Sequence, residues 1–405
     1  MALSRTDTRS RSKLLALTAT HAGNDFYTGA VAALLPFFVL HAHYTYAAVA
    51  GIALASTALS SVAQPLFGYL SDRYRLRWLS LAGLILAGVG VALSGIFVES
   101  YWAAWVVIAA SGVGVAAYHP AATMEAREAG GGSNSSMSFF SVGGNLGVAL
   151  APAAVVLVVG WFGLSGTLWL IIPAIILGLV YMAATWTDIS SPVAIMIPSP
   201  SIQAPIVSDS WRLFAWLTAV LATWSIAYVG TSTFISLYAT EKFQSSTAEA
   251  AVALSVFPAA GALGTLIGGF FADRFGRLRV IRAGYLLAAC STAAMVLAPT
   301  ELTLTIATAA LGVNLFIPFA AQITLSHSYL PNRIGVASGV TLGLTLSLGG
   351  VISPLLGVVA DRYTVWSVFV IMTVVLIAGF ALSWILTERR TEPSPVEPTL
   401  IEGNC

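Results

Sequence analysis

Long apolar runs alternate with short polar connections along this chain. Runs that could cross a hydrocarbon core of about 30 Å as a helix fall at about 14–40, 46–71, 78–98, 102–124, 134–159, 165–187, 212–239, 248–272, 279–298, 302–327, 334–359 and 364–387. The pattern predicts an all-α polytopic membrane protein with twelve transmembrane helices in two groups of six. Between the groups, Pro192, Pro198, Pro200 and Pro205 lie among serines, and the stretch reads as a linker. The expected organisation is an N-terminal six-helix half over 1–187, a linker over 188–210, a C-terminal half over 211–390, and a disordered Pro- and Glu-bearing tail over 391–405.

Composition fits this picture. Hydrophobic residues make up 58% and charged residues 9% of the chain, against roughly 45–50% and 25% in a soluble domain. With the N-terminus placed in the cytoplasm, every one of the 18 Lys and Arg except Lys242 and Arg362 falls inside, as the positive-inside rule requires. The same assignment puts both termini and the linker in the cytoplasm. The net charge of +1 is spread over short connections, so no basic surface for nucleic acid is expected. Cys290 lies in a predicted span and Cys405 is the last residue, which excludes a disulfide framework and any Cys/His metal spacing. The basic first thirteen residues precede a run about twice as long as a signal-peptide core, and the reading is an uncleaved first helix.

The first run carries one polar face. His21, Asn24, Asp25 and Thr28 follow i, i+3, i+4, i+7 spacing and so share a side of the helix. Asp25 lies about half-way through the run, where an aspartate costs about 2.5–3.5 kcal/mol on translocon scales, so it should face water or a partner. It is the only carboxylate predicted deep in any span. An imidazole beside it titrates near neutrality, and such a pair can load and release a proton as access changes. A purely structural role, in which Asp25, His21 and Asn145 fix helix packing, is the alternative.

The second feature is an internal repeat. The run from Gly68 through Asp72 and Arg73 to Arg77 recurs as Gly269, Asp273, Arg274 and Arg277, the first three displaced by 201 residues, each copy ending the second span of its half. Pro152 and Pro354 are similarly placed in the fifth and eleventh spans. Two homologous six-helix units are the plan of parallel-repeat transporters, with a site near the midplane between them.

On these residues the chain resembles the major facilitator superfamily over its whole length. The Gly-x-x-x-Asp-Arg element matches that superfamily's loop signature between helices two and three, with Arg75 where glycine is usual. The N-terminal half is similar to the fosmidomycin-resistance branch: His21-Ala-Gly-Asn24-Asp25-Phe-Tyr27, Gln64-Pro65-Leu-Phe-Gly68, Tyr118-His119-Pro120 and Gly144-Asn145-Leu-Gly147 through Pro152 look like its blocks. The resemblance implies that the first, fourth, seventh and tenth helices line a central cavity, so Asp25 and His119 would face a common space. It also implies a bacterial inner (plasma) membrane location.

From these readings Asp25, His21 and His119 are the candidate proton-coupling groups. Asn24, Thr28, Tyr118, Asn145, Trp224, Tyr228, Asn314 and Gln322 are candidate cavity contacts; an aromatic stripe such as Trp224 and Tyr228 is as readily explained by packing. The repeated Gly68, Asp72, Arg73, Arg77 and Gly269, Asp273, Arg274, Arg277 are a candidate conformational latch at the membrane surface. Pro120 frees the carbonyl of Ala116, and Pro120, Pro152 and Pro354 are candidate helix bends. Gly143, Gly144 and Gly147 permit close helix crossing.

The function expected is proton-coupled secondary transport by alternating access. Antiport that exports a small molecule or antibiotic, fosmidomycin-like or amphipathic, leads; proton-linked uptake of a nutrient or metabolite is the alternative. No phosphate-cradling loop is present to make ATP the driver. His41 and His43 have no acidic partner nearby in sequence, so no catalytic or metal centre is expected, and the chain is not read as an enzyme. The expected partners are the lipid bilayer, a small-molecule substrate and protons, with no cofactor, and a monomer as the working unit.

Overall fold

The computed structural model describes residues 5–74, 76–130, 134–189, 208–333, 336–337, 340–341 and 345–389. Residues 190–207 and 390–405, which hold most of the expected linker and the tail, lie outside the described residues. The N-terminal half comprises α1 (Arg5–Ala42), α2 (Tyr46–Tyr74), α3 (Trp78–Ser94), α4 (Tyr101–Ala129), α5 (Asn134–Phe162) and α6 (Ile171–Ile189), the last entered through a 3-10 turn at Leu164–Leu170. The C-terminal half comprises α7 (Trp211–Phe243), α8 (Thr247–Phe275), α9 (Arg277–Leu297), α10 (Glu301–Phe316), α11 (Phe319–Tyr329), α12 (Thr345–Arg362) and α13 (Val365–Leu382). Nine segments among the described residues are long and apolar enough to span a bilayer, and Tyr46–Thr57 and Trp78–Ser94 are shorter apolar stretches.

Among the described residues the predicted spans fall mainly on α-helix, the sixth entering through the 3-10 turn and most of 334–344 lying outside the described residues. The tenth span divides into α10 and α11 at Pro318, which has no N–H to continue the ladder. The helices carrying Pro120, Pro152 and Pro354 run through those prolines unbroken. The proline that divides a span is thus one the sequence pattern did not single out.

The two halves repeat the same packing. In the first, α1 packs on α5 and α6, and α4 on α2 and α3; in the second, α7 packs on α12 and α13, and α10 on α8 and α9. Small residues make the closest crossing possible. A Cβ on Gly147 would overlap the Ala22 carbonyl, and one on Gly143 the Thr18 carbonyl, so α5 lies against α1 only because these positions are glycine. The buried Tyr27 ties α1 to α6, donating to the Leu170 carbonyl at 2.9 Å while accepting from the Ala174 N–H at 2.9 Å.

Between the halves, α2 packs on α12 and α5 on α8. On the face away from the start of α1 and the end of α6, Asp361 near the end of α12 closes the seam. Its carboxylate accepts from the backbone N–H of Tyr46 at 2.7 Å and of Ala47 at 2.9 Å, capping the N-terminus of α2 from the opposite half. The other side, where α6 ends and α7 begins, is the terminal face.

Candidate functional site

The polar stripe on α1 meets α4 and α5 half-way through the bundle. Asp25 Oδ2 lies 3.2 Å from His21 Nε2 and Oδ1 lies 3.2 Å from His119 Nε2. Asn24, fully buried, donates its amide to Oδ1 at 3.1 Å. Helical spacing puts His21 one turn before Asp25. The tight approach of α5 closes the pair in: a Cβ on Gly144 would overlap both Asp25 Oδ2 and the His21 ring. The carboxylate side chain is 18% exposed and that of His119 24%, so the cluster is open to solvent on the His119 side.

The proton count of this cluster follows from one backbone group. His21 Nδ1 lies 2.8 Å from the Phe140 carbonyl oxygen, with the two rings stacked at 4.2 Å. A carbonyl only accepts, so Nδ1 carries a hydrogen. The neutral ring then has a lone pair on Nε2, and that lone pair would face a carboxylate oxygen. The 3.2 Å contact becomes attractive when a hydrogen lies between the two atoms, on the imidazolium or on the carboxyl group. The His119 contact needs none beyond its neutral Nε2–H tautomer. A proton on His21 Nε2 or on the carboxyl group would thus turn the His21–Asp25 contact into a hydrogen bond.

The ligand atoms of His21, Asp25 and His119 lie within 4.8 Å of one another. Two imidazole nitrogens and a carboxylate oxygen at this spacing are also a donor set that could hold a metal ion.

One turn beyond Asp25, Thr28 opens onto a cavity of about 60 Å³ between α1, α2, α5, α7 and α8. Its wall is aliphatic with hydroxyls from Thr28, Ser56, Thr57, Tyr228, Ser232 and Thr233. Tyr228 comes from the C-terminal half and lies within electrostatic range of Asp25. Asn145 sits on α5 one turn from Val148, another wall residue.

The structure separates the other predicted contacts from this space. Trp224 is buried, stacked on Tyr228 at 5.2 Å, and its indole N–H is held by the Leu315 carbonyl at 2.7 Å. Asn314 donates to Ser291 at 3.0 Å and Gln322 to Tyr285 at 2.8 Å, both on α9, so these amides join helices within the C-terminal half. Tyr118 is buried behind His21, its hydroxyl 2.8 Å from that of Thr20.

At the terminal face, Arg77 pairs with Glu128 on α4 at 2.9 Å and Arg277 with Glu388, just past α13, at 2.6 Å, so each repeat arginine is ion-paired but to a different element. Asp273 and Arg274 are exposed, no side chain approaches within 4 Å of a Cβ built on Gly68 or Gly269, and the side chains of Asp72 and Arg73 lie outside the described residues.

Sequence reasoning missed a second buried carboxylate, Glu125. The apolar pattern ends the fourth span at 124 and leaves this residue to a connection, whereas α4 continues to Ala129 and buries it completely. Its signal was the Ala121-Ala122 pair on the helix face that leads to it.

Comparison with known proteins agrees with this architecture. The model of the Major Facilitator Superfamily matches residues 17–354. The chain belongs to the Major Facilitator Superfamily. Among superfamily relatives, the fosmidomycin resistance protein of Escherichia coli (strain K12) is 28% identical over 93% of each chain. An uncharacterized MFS-type transporter of Bacillus subtilis (strain 168), YfnC, is 25% identical over 86% of each chain. A bacterial homolog of the human lysosomal transporter Spinster, solved inward-facing and unoccupied, superposes with a TM-score of 0.75 at 15% identity, covering 95% of this chain and 98% of that one. A point mutant of the nucleoside transporter NupG gives 0.73 at 15% identity over 93% and 100%. The protein is a multi-pass membrane transporter of the superfamily and not an enzyme.

Proposed function

We propose that this transporter is a proton-coupled antiporter that exports a small amphipathic molecule or antibiotic across a bacterial inner membrane, with the terminal face in the cytoplasm. The observation that supports the coupling is the 3.2 Å contact of His21 Nε2 with Asp25 Oδ2, with Nδ1 committed to the Phe140 carbonyl. In the cycle, Asp25 holds the proton with His21 while the cavity faces one side and gives it up when His119 and solvent are reached from the other. Binding of substrate beside Thr28 and Tyr228 competes with the protonated state, which links the two fluxes. The halves rock about the α2–α12 and α5–α8 seams.

The direction of transport is supported by the relative named for fosmidomycin resistance. The cavity wall, aliphatic with hydroxyls, suits an amphipathic compound.

The test is internal pH in vesicles of purified protein, read with a trapped dye. Fosmidomycin and amphipathic drugs are added in turn to the parent and to Asp25→Asn. Substrate should evoke proton movement in the parent, in the direction opposite to its own, and none in the variant. Full coupling in Asp25→Asn overturns the assignment, and proton movement with the substrate makes the protein a symporter.

A further inference from the structure

We propose that His21, Asp25 and His119 form a three-ligand site for a divalent transition-metal ion of the Zn²⁺ class, with the fourth coordination position open on the His119 side. Two imidazole nitrogens and one carboxylate are the donors of three-ligand zinc sites that keep a position free. Here they come from α1 and α4, helices far apart in sequence, which is why the sequence pattern predicts no metal centre. The three ligand atoms lie within 4.8 Å of one another. Atoms bound to one ion at about 2.0–2.1 Å stand about 3.3 Å apart in a tetrahedron. The carboxylate lies between the rings, Oδ2 towards His21 and Oδ1 towards His119, and both nitrogen–oxygen separations are 3.2 Å. The two nitrogens have only to close on each other. His119, with a side chain 24% exposed against 10% for His21, is the ligand placed to move.

The groups around the three ligands are those a metal site requires. His21 donates from Nδ1 to the Phe140 carbonyl at 2.8 Å, and its ring stacks on that of Phe140 at 4.2 Å. This fixes the tautomer whose Nε2 lone pair is directed at the carboxylate, and a cation bound to both atoms replaces that repulsion by two bonds. Asn24 donates to Asp25 Oδ1 at 3.1 Å and so orients the carboxylate. Among the described residues no lysine or arginine pairs with Asp25, so no fixed cation competes for it. His119 binds the ion as its Nδ1–H tautomer. The partial exposure of His119 and Asp25 gives the ion its way in.

Binding of the ion does not depend on what drives transport. Its consequence for transport does rest on the proton-coupled reading above: an ion seated here occupies the coupling cluster, so substrate-evoked proton movement should stop while it is bound. A second pair of histidines, His41 and His43, is exposed at the end of α1, away from the cluster, and serves as the control.

The test is titration of the full-length purified protein in detergent, first stripped with a chelator, with Co²⁺ read by its visible absorption and then displaced by Zn²⁺. The parent should take up one Co²⁺ per chain with the intense bands of four-coordinate cobalt, and one equivalent of Zn²⁺ should remove them. Loss of a group that only orients a ligand costs about 10–100-fold in metal affinity, so loss of a ligand in D25N or H119A should weaken binding about 100-fold or more. H41Q/H43Q, which leaves the three ligands intact, should bind as the parent does. Asparagine keeps the shape of Asp25, and thermal melting without metal checks that each variant is folded. No uptake by the folded parent means that hydrogen bonds alone hold the cluster and overturns the proposal. Parent-like affinity in both D25N and H119A, or a loss confined to H41Q/H43Q, puts the ion elsewhere and also overturns it. In vesicles, undiminished substrate-evoked proton movement with Zn²⁺ bound refutes the coupling role of the cluster instead and leaves the metal site standing.

Discussion

Removing the Asp361 carboxylate should open the face that it seals. In Asp361→Ala two charge-assisted hydrogen bonds, at 2.7 and 2.9 Å, are lost from the first N–H groups of α2. Loss of an N-cap costs typically about 1 kcal/mol, with a range of about 0.5–2. Loss of the negative charge at a helix N-terminus adds about 0.3–1 kcal/mol, and the exposure of Asp361 favours the lower end. The sum is about 1–3 kcal/mol. The contact joins α12 to α2 across the two halves, so it exists only while this face is closed, and the whole loss acts on the equilibrium between access states. At 1.36 kcal/mol per factor of ten, the open-to-closed ratio at this face should rise by about 5- to 150-fold. Spin labels at Glu99 and Ala248, exposed positions at the same face on opposite halves, would report it by pulsed dipolar spectroscopy. The parent should give mainly the short distance and Asp361→Ala a growing long component. Asp361→Asn, which keeps one acceptor oxygen, should fall between them. Identical distance distributions in parent and Asp361→Ala would refute the argument that this cap holds the seam.

Two further outcomes follow from the packing. Gly144→Ala forces a methyl group into Asp25 Oδ2 and the His21 ring and should abolish substrate-evoked proton movement, whereas Gly160→Ala, whose Cβ would meet nothing within 4 Å, should leave it unchanged; equal activity of the two variants would show that the α1–α5 approach tolerates the methyl. Tyr27→Phe removes the hydroxyl that bonds both the Leu170 carbonyl and the Ala174 N–H, and should lower stability by about 1–3 kcal/mol, read as the midpoint of unfolding in detergent; an unshifted midpoint would show that solvent satisfies those groups.

The fold was legible because a bilayer imposes a length, and twelve runs of that length leave few arrangements. The His21–Asp25 contact was legible for the same kind of reason, since residues four apart on a helix meet. Which neighbour a polar side chain meets across helices was not. Asn314 and Gln322 lie on a helix expected to line the cavity, but the packing of α10 and α11 turns their amides to Ser291 and Tyr285 on α9. The break at Pro318 was missed because five other prolines, at 36, 120, 152, 258 and 354, lie within unbroken helices, so proline alone does not say where a span divides. The proton count depended on a backbone carbonyl, that of Phe140, whose position is a consequence of how α5 crosses α1.

The repeat and the chemistry part company in this molecule. The two halves share their packing, yet 201 residues after Asp25 and His119 stand Ile226 and Ala320. The region of α7 that matches the acidic stripe of α1 offers Tyr228, Ser232 and Thr233 to the cavity. These groups can hydrogen-bond a solute but do not change charge near neutral pH. The packing is thus duplicated, while His21, Asp25 and His119 at mid-depth all lie in the first half. Changes at Tyr228 or Ser232 should therefore alter which solute is accepted, and changes at Asp25 should alter whether its passage moves a proton.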